Sequence, residues 1–395
     1  MSPERIVVIG GGLAGAGAAL ELRKLGFDGD LTLVGAEAHL PYNRPPLSKT
    51  FLRGEEDFDS IVVAPRSDYE AAGIDLRLER RALAVDATGK RVELQGGEQL
   101  AYDRLLVATG GRKRKLPFAG SELAGVYDLR TVDDSMRIRE EAEPGRRAVV
   151  VGLGFIGCEV TASLRMLGVE VTALDPMPVP LSRVLGEEVG ASIASLHSAH
   201  GVQLLLNDGV DRFEGEARVS HVVSSSGRTL ECDFVVAGIG IQPEVSLLES
   251  AGAAVSNGVE VDAHCRTTLP DVFAAGDIAH EAHPLFGSIR VEHWNNADKQ
   301  GRYAAGAMLG KEAPYDYVHT FWSDQYDQTV EYVGFAEKWD RIDVDGSLDQ
   351  LDFIARYYQG DRVVAAAAIG RGGDPEAEED TEMKSIAGEI RRALS

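Results

Sequence analysis

Cysteine is scarce in this 395-residue chain, which contains only Cys158, Cys232 and Cys265. Three widely spaced thiols cannot build a disulfide framework, and the lack of any CxxC pair removes a redox dithiol and the usual zinc knuckles. A reducing, cytoplasmic setting suits such a chain. Positive charge is also in short supply. Forty Lys and Arg stand against sixty-three Asp and Glu, a net charge of −23, and a field of that sign repels nucleic acid and anionic membrane surfaces. No apolar run approaches the roughly 20 residues that cross a bilayer, so no transmembrane segment is expected; the longest lie around residues 148–157 and 363–369. A strand-like run begins at Arg5, which leaves no room for a secretion signal. The histidines form no HExxH or related pattern, so no metal site is expected.

Apolar residues, at 44% of the chain, are plentiful enough for several cores, and the length predicts two or three domains. Glycine is in excess, at 44 residues, and its placement is informative. A buried-strand pattern at Ile6–Ile9 runs into Gly10-Gly11-Gly12-Leu13-Ala14-Gly15 and then an Ala/Leu-rich helix. The pattern returns as a strand through Val151, Gly152-Leu153-Gly154-Phe155-Ile156-Gly157, and a second helix. In each GxGxxG the first glycine makes the tight turn, the second lets backbone N–H groups approach a pyrophosphate, and the third permits close helix packing. Positive potential at the helix N-terminus adds to the phosphate attraction.

The repeat extends further. An Asp leads into a buried strand that ends in small residues both at Asp103 to Ala108-Thr109-Gly110 and at Asp233 to Gly238-Ile239-Gly240. A third such strand ends at Gly276-Asp277 without a fingerprint of its own, and so belongs with the first unit. The predicted architecture is α/β, with two Rossmann-like units and a small α+β C-terminal domain. The first unit takes residues 1–116 and 243–318, the second (117–242) is inserted into it, and 319–395 form the third. An acid about 20 positions past each motif is placed to bind a ribose 2′-hydroxyl. Glu37 and Asp175 occupy those positions, and both would repel a 2′-phosphate. No arginine follows Asp175 immediately, although Arg183 is near in sequence, so NADH is favoured over NADPH. Two dinucleotide sites imply a cofactor pair, and FAD is the physical choice for the acceptor, because a flavin takes a hydride and releases electrons singly.

Several motifs then converge: Pro41-Tyr-Asn-Arg44-Pro-Pro-Leu-Ser-Lys49, Ala108-Thr109-Gly110, Gly276-Asp277, Val291-Glu292-His-Trp294-Asn-Asn-Ala297 and Trp322-Ser-Asp-Gln325. Together they resemble the bacterial NADH-dependent ferredoxin reductases, the FAD flavoproteins that serve Rieske dioxygenases and cytochrome P450 systems. The resemblance runs from about Arg5 to Ala367 and implies a 2Fe-2S ferredoxin as partner, in a monomer or homodimer. It places Lys49 at the flavin edge with Glu159 as its partner, a catalytic pair, and Arg44 and Arg130 toward the FAD phosphates. It also places the Ala82 backbone at the adenine, Asp277 at the ribityl chain, Glu292 at the nicotinamide carboxamide, and Trp294 and Trp322 beside the isoalloxazine. Without the surrounding motifs, the preferred reading makes Lys49 a surface charge and Glu159 a helix-dipole partner.

Three alternatives share the domain plan. A disulfide reductase needs a cysteine beside the flavin, and the segment from Glu37 to Lys49 has none. A rubredoxin or other small carrier could replace the ferredoxin. A non-catalytic NADH sensor would hold its electrons and change its oligomeric state. Ferredoxins of this type are usually acidic, so a chain at −23 needs a local basic or apolar surface to bind one. Arg112-Lys113-Arg114-Lys115 is the densest basic run, and its place after Gly110-Gly111 suits an interdomain linker or a phosphate-facing loop equally well.

Overall fold

In the first strand, Arg5–Ile9, every residue after Arg5 is buried, which is the signature of a parallel strand covered on both faces. The computed structural model describes residues 4–394. Arg5–Ile9 lies third in an all-parallel sheet whose order is Val272–Ala274, Arg104–Val107, Arg5–Ile9, Asp30–Val34 and Asp75–Arg77. A second all-parallel sheet runs Gln203–Leu206, Glu170–Asp175, Arg147–Val151, Phe234–Ala237 and Val126–Asp128. In both sheets the chain leaves the fingerprint strand toward one edge and returns on its other side. This topological switch opens a crevice at the strands' C-terminal ends, where α/β sheets bind ligands.

Each unit also carries a three-stranded antiparallel insert that the sequence reading did not resolve: Ala82–Asp86, Arg91–Leu94 and Gln99–Ala101 in one, Val210–Gly215, Val219–Ser224 and Thr229–Glu231 in the other. The two passages between the units pair as a short antiparallel ribbon, Gly111–Lys113 with Ile241–Pro243. The basic run lies on this ribbon. Lys113 is tied to Asp128 and sits 3.2 Å from Asp134, and Arg112 is 3.7 Å from Glu244, so much of its charge is already matched.

The third unit is a five-stranded antiparallel sheet, ordered Thr320–Gln325, Gln328–Gly334, Arg362–Ile369, Asp352–Gln359 and Arg341–Ser347. One face joins the core of the second unit through Phe321, Val330, Tyr332, Ala367 and Ile369. The other is covered at one end by the helix Glu382–Leu394, through Met383, Ile386 and Ile390 against Val333, Ala366 and Ala368. In the first unit the fingerprint helix Leu13–Lys24 packs along Trp294–Met308. The approach is close enough that a Cβ on Gly301 would lie 2.3 Å from the Ala14 carbonyl oxygen. Among the described residues no helix is long and apolar enough to cross a membrane.

Three histidines, His197, His283 and His319, are buried. Burial pushes their imidazoles down from 6.5, to about 4 for His197 and His283 and about 3 for His319. Each ring is therefore neutral when folded and binds a proton readily only in the unfolded chain. The resulting stability is whole above pH 6.5 and is lost as pH falls toward 4 and 3. Glu281, whose carboxyl lies 3.4 Å from His319, has the opposite sign. Burial raises it to about 7, so its contribution is whole below its ordinary value near 4.5 and is lost as pH rises through about 7. Thermal melts across pH 4 to 8 are expected to show the midpoint falling steeply below pH 6.5. The His319→Phe variant should show a shallower fall, and Glu281→Gln a gain confined to the alkaline side.

Candidate active site

At the end of the first strand, Gly10 turns the chain at a φ of +124°, and a Cβ there would lie 2.1 Å from the Ala108 carbonyl oxygen. A Cβ on Gly15 would lie 2.0 Å from the Gly10 oxygen, so helix and strand meet with no room for a side chain. Gly12 caps the helix Leu13–Lys24 without a side-chain hydrogen bond, and a Cβ on it would meet nothing within 4 Å. The N–H groups at Leu13, Ala14 and Gly15 thus open onto free space at the positive end of a helix.

The neighbouring strands bring Ala108, Thr109 and Gly110 on one side and Gly276 and Asp277 beyond them. Arg130 donates to Asp277 (Nη2 to Oδ2, 2.9 Å) while its Nε is buried without a partner. Arg44 donates to the Arg130 carbonyl and pairs with Glu37 at 2.9 Å. Glu37 also accepts from the Tyr42 hydroxyl at 2.6 Å, so this acid is held by two neighbours. Thr109 donates to the Glu244 carbonyl at 3.0 Å, and Ala82 opens the first strand of its insert, half-buried.

The second fingerprint repeats the geometry. A Cβ on Gly157 would lie 1.9 Å from the Gly152 oxygen, and Gly154 caps the helix Phe155–Met166 with open space before it. Asp175 ends its strand buried, accepting from the N–H groups of Leu153 at 2.5 Å and Met177 at 2.8 Å. The carboxylate is thereby fixed against the glycine loop. Ile156 is exposed, and Phe155 packs edge-on to Phe321 at 4.6 Å between ring centres. Arg183 is exposed near the start of Ser182–Ala199, Gly240 turns at φ +90° beside the Arg114 side chain, and exposed Glu292 accepts from Arg290 at 2.5 Å.

Between the two fingerprints lies a buried cluster of charge. Lys49 and Glu159 are each only 6% exposed, with Nζ 3.6 Å from Glu159 Oε1 and 3.0 Å from Asp324 Oδ2. Glu159 further accepts from Ser48 Oγ at 2.5 Å and Ser323 Oγ at 2.8 Å. Lys49 follows the 3₁₀ turn Pro45–Ser48 of the first unit, Glu159 sits on the second unit's helix, and Ser323 and Asp324 come from the C-terminal sheet. Burial raises the Glu159 carboxyl above its ordinary value, opposed by Lys49 and the two hydroxyls. The Lys49 ammonium stands 5.4 Å from the Trp322 ring, and Trp294, 5.6 Å from Trp322, donates to Asn43.

Sequence reasoning singled out Lys49 and Glu159 but assigned no role to Ser48, Ser323 or Asp324. The only signal for the last two was their alternation within Trp322-Ser-Asp-Gln325, which sends Ser323 and Asp324 to opposite faces of one strand. The space before Gly12 and the orphaned Arg130 Nε fit a diphosphate-bearing group at the first fingerprint, and the open space before Gly154 fits a second. All three cysteines are free and buried. Burial pushes the Cys232 thiol up to about 12 and holds Cys158 and Cys265 well above the usual range. None is a thiolate nucleophile of the kind disulfide chemistry requires.

Residues 4–301 match the model of the pyridine nucleotide-disulphide oxidoreductase family, and residues 320–380 match the reductase C-terminal family. The chain is 40% identical over 375 residues to the 5,5′-dehydrodivanillate O-demethylase ferredoxin reductase subunit of Sphingobium sp., covering 93% of this chain and 90% of that one. It is 37% identical over 375 residues to putidaredoxin reductase CamA of Pseudomonas putida, with 93% and 89% covered. Among solved structures, the covalent putidaredoxin reductase–putidaredoxin complex superposes with a TM-score of 0.94 at 35% identity, over all of this chain and 94% of that one. Two fingerprints, a buried Lys–Glu pair between them, no reactive thiol and these relatives lead to one assignment: the chain belongs to the ferredoxin reductase family within the pyridine nucleotide-disulphide oxidoreductases, FAD enzymes that move electrons from NADH to a ferredoxin.

Proposed function

We propose that FAD lies along the first fingerprint, that NADH docks on the second, and that Lys49 and Glu159 form the site where the nicotinamide meets the flavin. The observation that carries this reading is the convergence of Lys49, Glu159 and Asp324 from three units on one buried point between the two glycine loops. FAD, when bound, supplies a two-electron acceptor that releases electrons one at a time. The chain's own residues bind, orient and exclude water. Gly10, Gly12, Leu13, Ala14 and Gly15 receive the FAD diphosphate, with Arg44 and Arg130 supplying cationic charge beside it. Glu37 and Asp277 serve its hydroxyls, and the backbone around Ala82, Ala108, Thr109, Gly110 and Gly276 walls the crevice. Gly152, Gly154, Phe155, Ile156 and Gly157 receive the NADH diphosphate, with Asp175 and Arg183 at its ribose end and Gly240 and Glu292 toward the nicotinamide.

Lys49 would set its amino group beside the bound flavin, and Glu159, pinned by Ser48 and Ser323, holds that group in place. Trp294 and Trp322 close the pocket beside Lys49. A cytoplasmic location is part of this reading, supported by three cysteines that are all unpaired. Electrons pass onward to a 2Fe-2S ferredoxin that feeds an oxygenase.

Two experiments test the assignment. Anaerobic stopped-flow mixing with NADH is expected to bleach the flavin at least ~10²-fold more slowly in Lys49→Met. Ser323→Ala should show a smaller loss, of about 1 kcal/mol, and near-normal rates in both variants would remove the pair from the site. Wild-type protein should use NADH over NADPH by about two orders of magnitude in kcat/KM, because the fixed Asp175 carboxylate opposes a 2′-phosphate at a cost of several kcal/mol. Asp175→Asn keeps an acceptor for the loop N–H and should narrow that ratio; an unchanged ratio would place the ribose elsewhere.

A further inference from the structure

A buried polar chain runs from Glu281 to the turn that carries Asp277. Glu281 is 3% exposed on the inner face of the strand Ala279–His283, and Gln300 and His319 are buried beside it. Gln300 Oε1 accepts from the Gly276 N–H at 2.7 Å, while its Nε2 donates to Glu281 Oε2 at 2.8 Å. The amide therefore has one orientation, set by a backbone donor at one end and the acid at the other. The second Glu281 oxygen lies 3.4 Å from His319 Nε2. Among the described residues, neither this oxygen nor either ring nitrogen of His319 makes a hydrogen bond.

Gly276 is where this chain reaches the crevice of the first fingerprint. It turns at a φ of +79°, and a Cβ on it would lie 3.1 Å from the Ala14 Cβ in the first turn of the fingerprint helix. Gly301, the neighbour of Gln300, is pressed against the Ala14 carbonyl oxygen, so the helix that carries the amide is fixed to the same point. Asp277 follows Gly276 directly, its carboxylate accepting from Arg130 at 2.9 Å and its carbonyl from Arg290 at 3.1 Å. A shift of the Gly276 N–H thus moves the Asp277 carboxylate and the wall of the glycine loop together.

Among the described residues no lysine or arginine pairs with Glu281. The titratable groups around it are His283 on its own strand, His319 just before the C-terminal sheet, Tyr315, Cys265, and the half-buried His280, which is turned to Ser256 and Ser288. Burial keeps the His283 and His319 rings neutral and the Tyr315 and Cys265 groups protonated. An ionised Glu281 would thus be a buried charge without a matching cation, and burial raises its carboxyl to about 7. A neutral acid suits the geometry, with one oxygen accepting from Gln300 and the other carrying its proton toward His319.

We propose that Glu281 is a positioning residue for FAD: as a neutral acid it orients Gln300, Gln300 holds the Gly276 N–H, and the chain fixes the turn that presents Asp277. The proposal rests on the placement of FAD along the first fingerprint given above.

The test follows FAD dissociation from diluted holoprotein by the rise in flavin fluorescence. At about pH 6, Glu281→Met and Gln300→Met should each raise the dissociation constant at least ~10-fold, because each leaves a buried group without its partner. The double variant should lose no more than the weaker-binding single variant, since both break one chain. Glu281→Gln keeps an acceptor for Gln300 and a donor toward His319, so it should bind FAD as the wild type does at that pH. By about pH 8.5 the wild-type affinity should fall ~5-fold or more as Glu281 ionises, and Glu281→Gln should not follow it. If the Met variants do not fold, the Glu281→Gln pH profile decides. Unchanged affinity in the Met variants, additive losses, or a Glu281→Gln variant that weakens at about pH 6 or tracks the wild-type profile overturns the proposal and leaves the FAD placement standing. Gly12→Asp should release FAD and Gly154→Asp should retain it; the reverse overturns that placement, and the proposal with it.

Discussion

An ammonium and a carboxylate lie almost out of water at the centre of this protein, and the arrangement of all three units depends on satisfying them. Removing such ions from water costs several kcal/mol each, which only close partners offset. Here the partners come from separate places. Lys49 is carried by the first unit, Glu159 by a helix of the second, and Ser323 and Asp324 by the C-terminal sheet. Displacing any unit would strand a buried charge. The cluster therefore serves as a positional constraint on the crevice between the two glycine loops.

The same economy of space recurs at the loops. Glycines at the turns let strand, loop and helix touch, with hypothetical Cβ atoms about 2 Å from carbonyl oxygens, and this closeness leaves uncapped N–H groups facing open space. Asp175 is fixed beside the second loop by two backbone N–H groups.

Much of this was legible in the sequence because it depends on local pattern. Gly10, Gly12 and Gly15, with their second copy at Gly152, Gly154 and Gly157, announce strand, turn and helix through spacing alone. Ser48, Ser323 and Asp324 were not legible as site residues, since a hydroxyl or carboxylate in a strand says nothing about which distant charge it will meet. Glu37 and Asp175 stood out by their distance past each motif. That Glu37 would be held by Tyr42 and Arg44, and Asp175 by the loop it follows, did not. The basic run at residues 112–115 looked available to a partner from its composition, yet pairing with acids on other segments engages much of it.

The sequence by itself determined the fold class, the two nucleotide sites, the lack of dithiol chemistry and the overall negative field. Each of these follows from residue type at short range or from composition. Only the tertiary structure decided which charges are buried, which are paired and which stay exposed. Those outcomes depend on segments more than a hundred residues apart, such as Ser48 with Glu159 and Glu159 with Ser323, meeting within hydrogen-bond distance in a medium where an unmatched charge is costly.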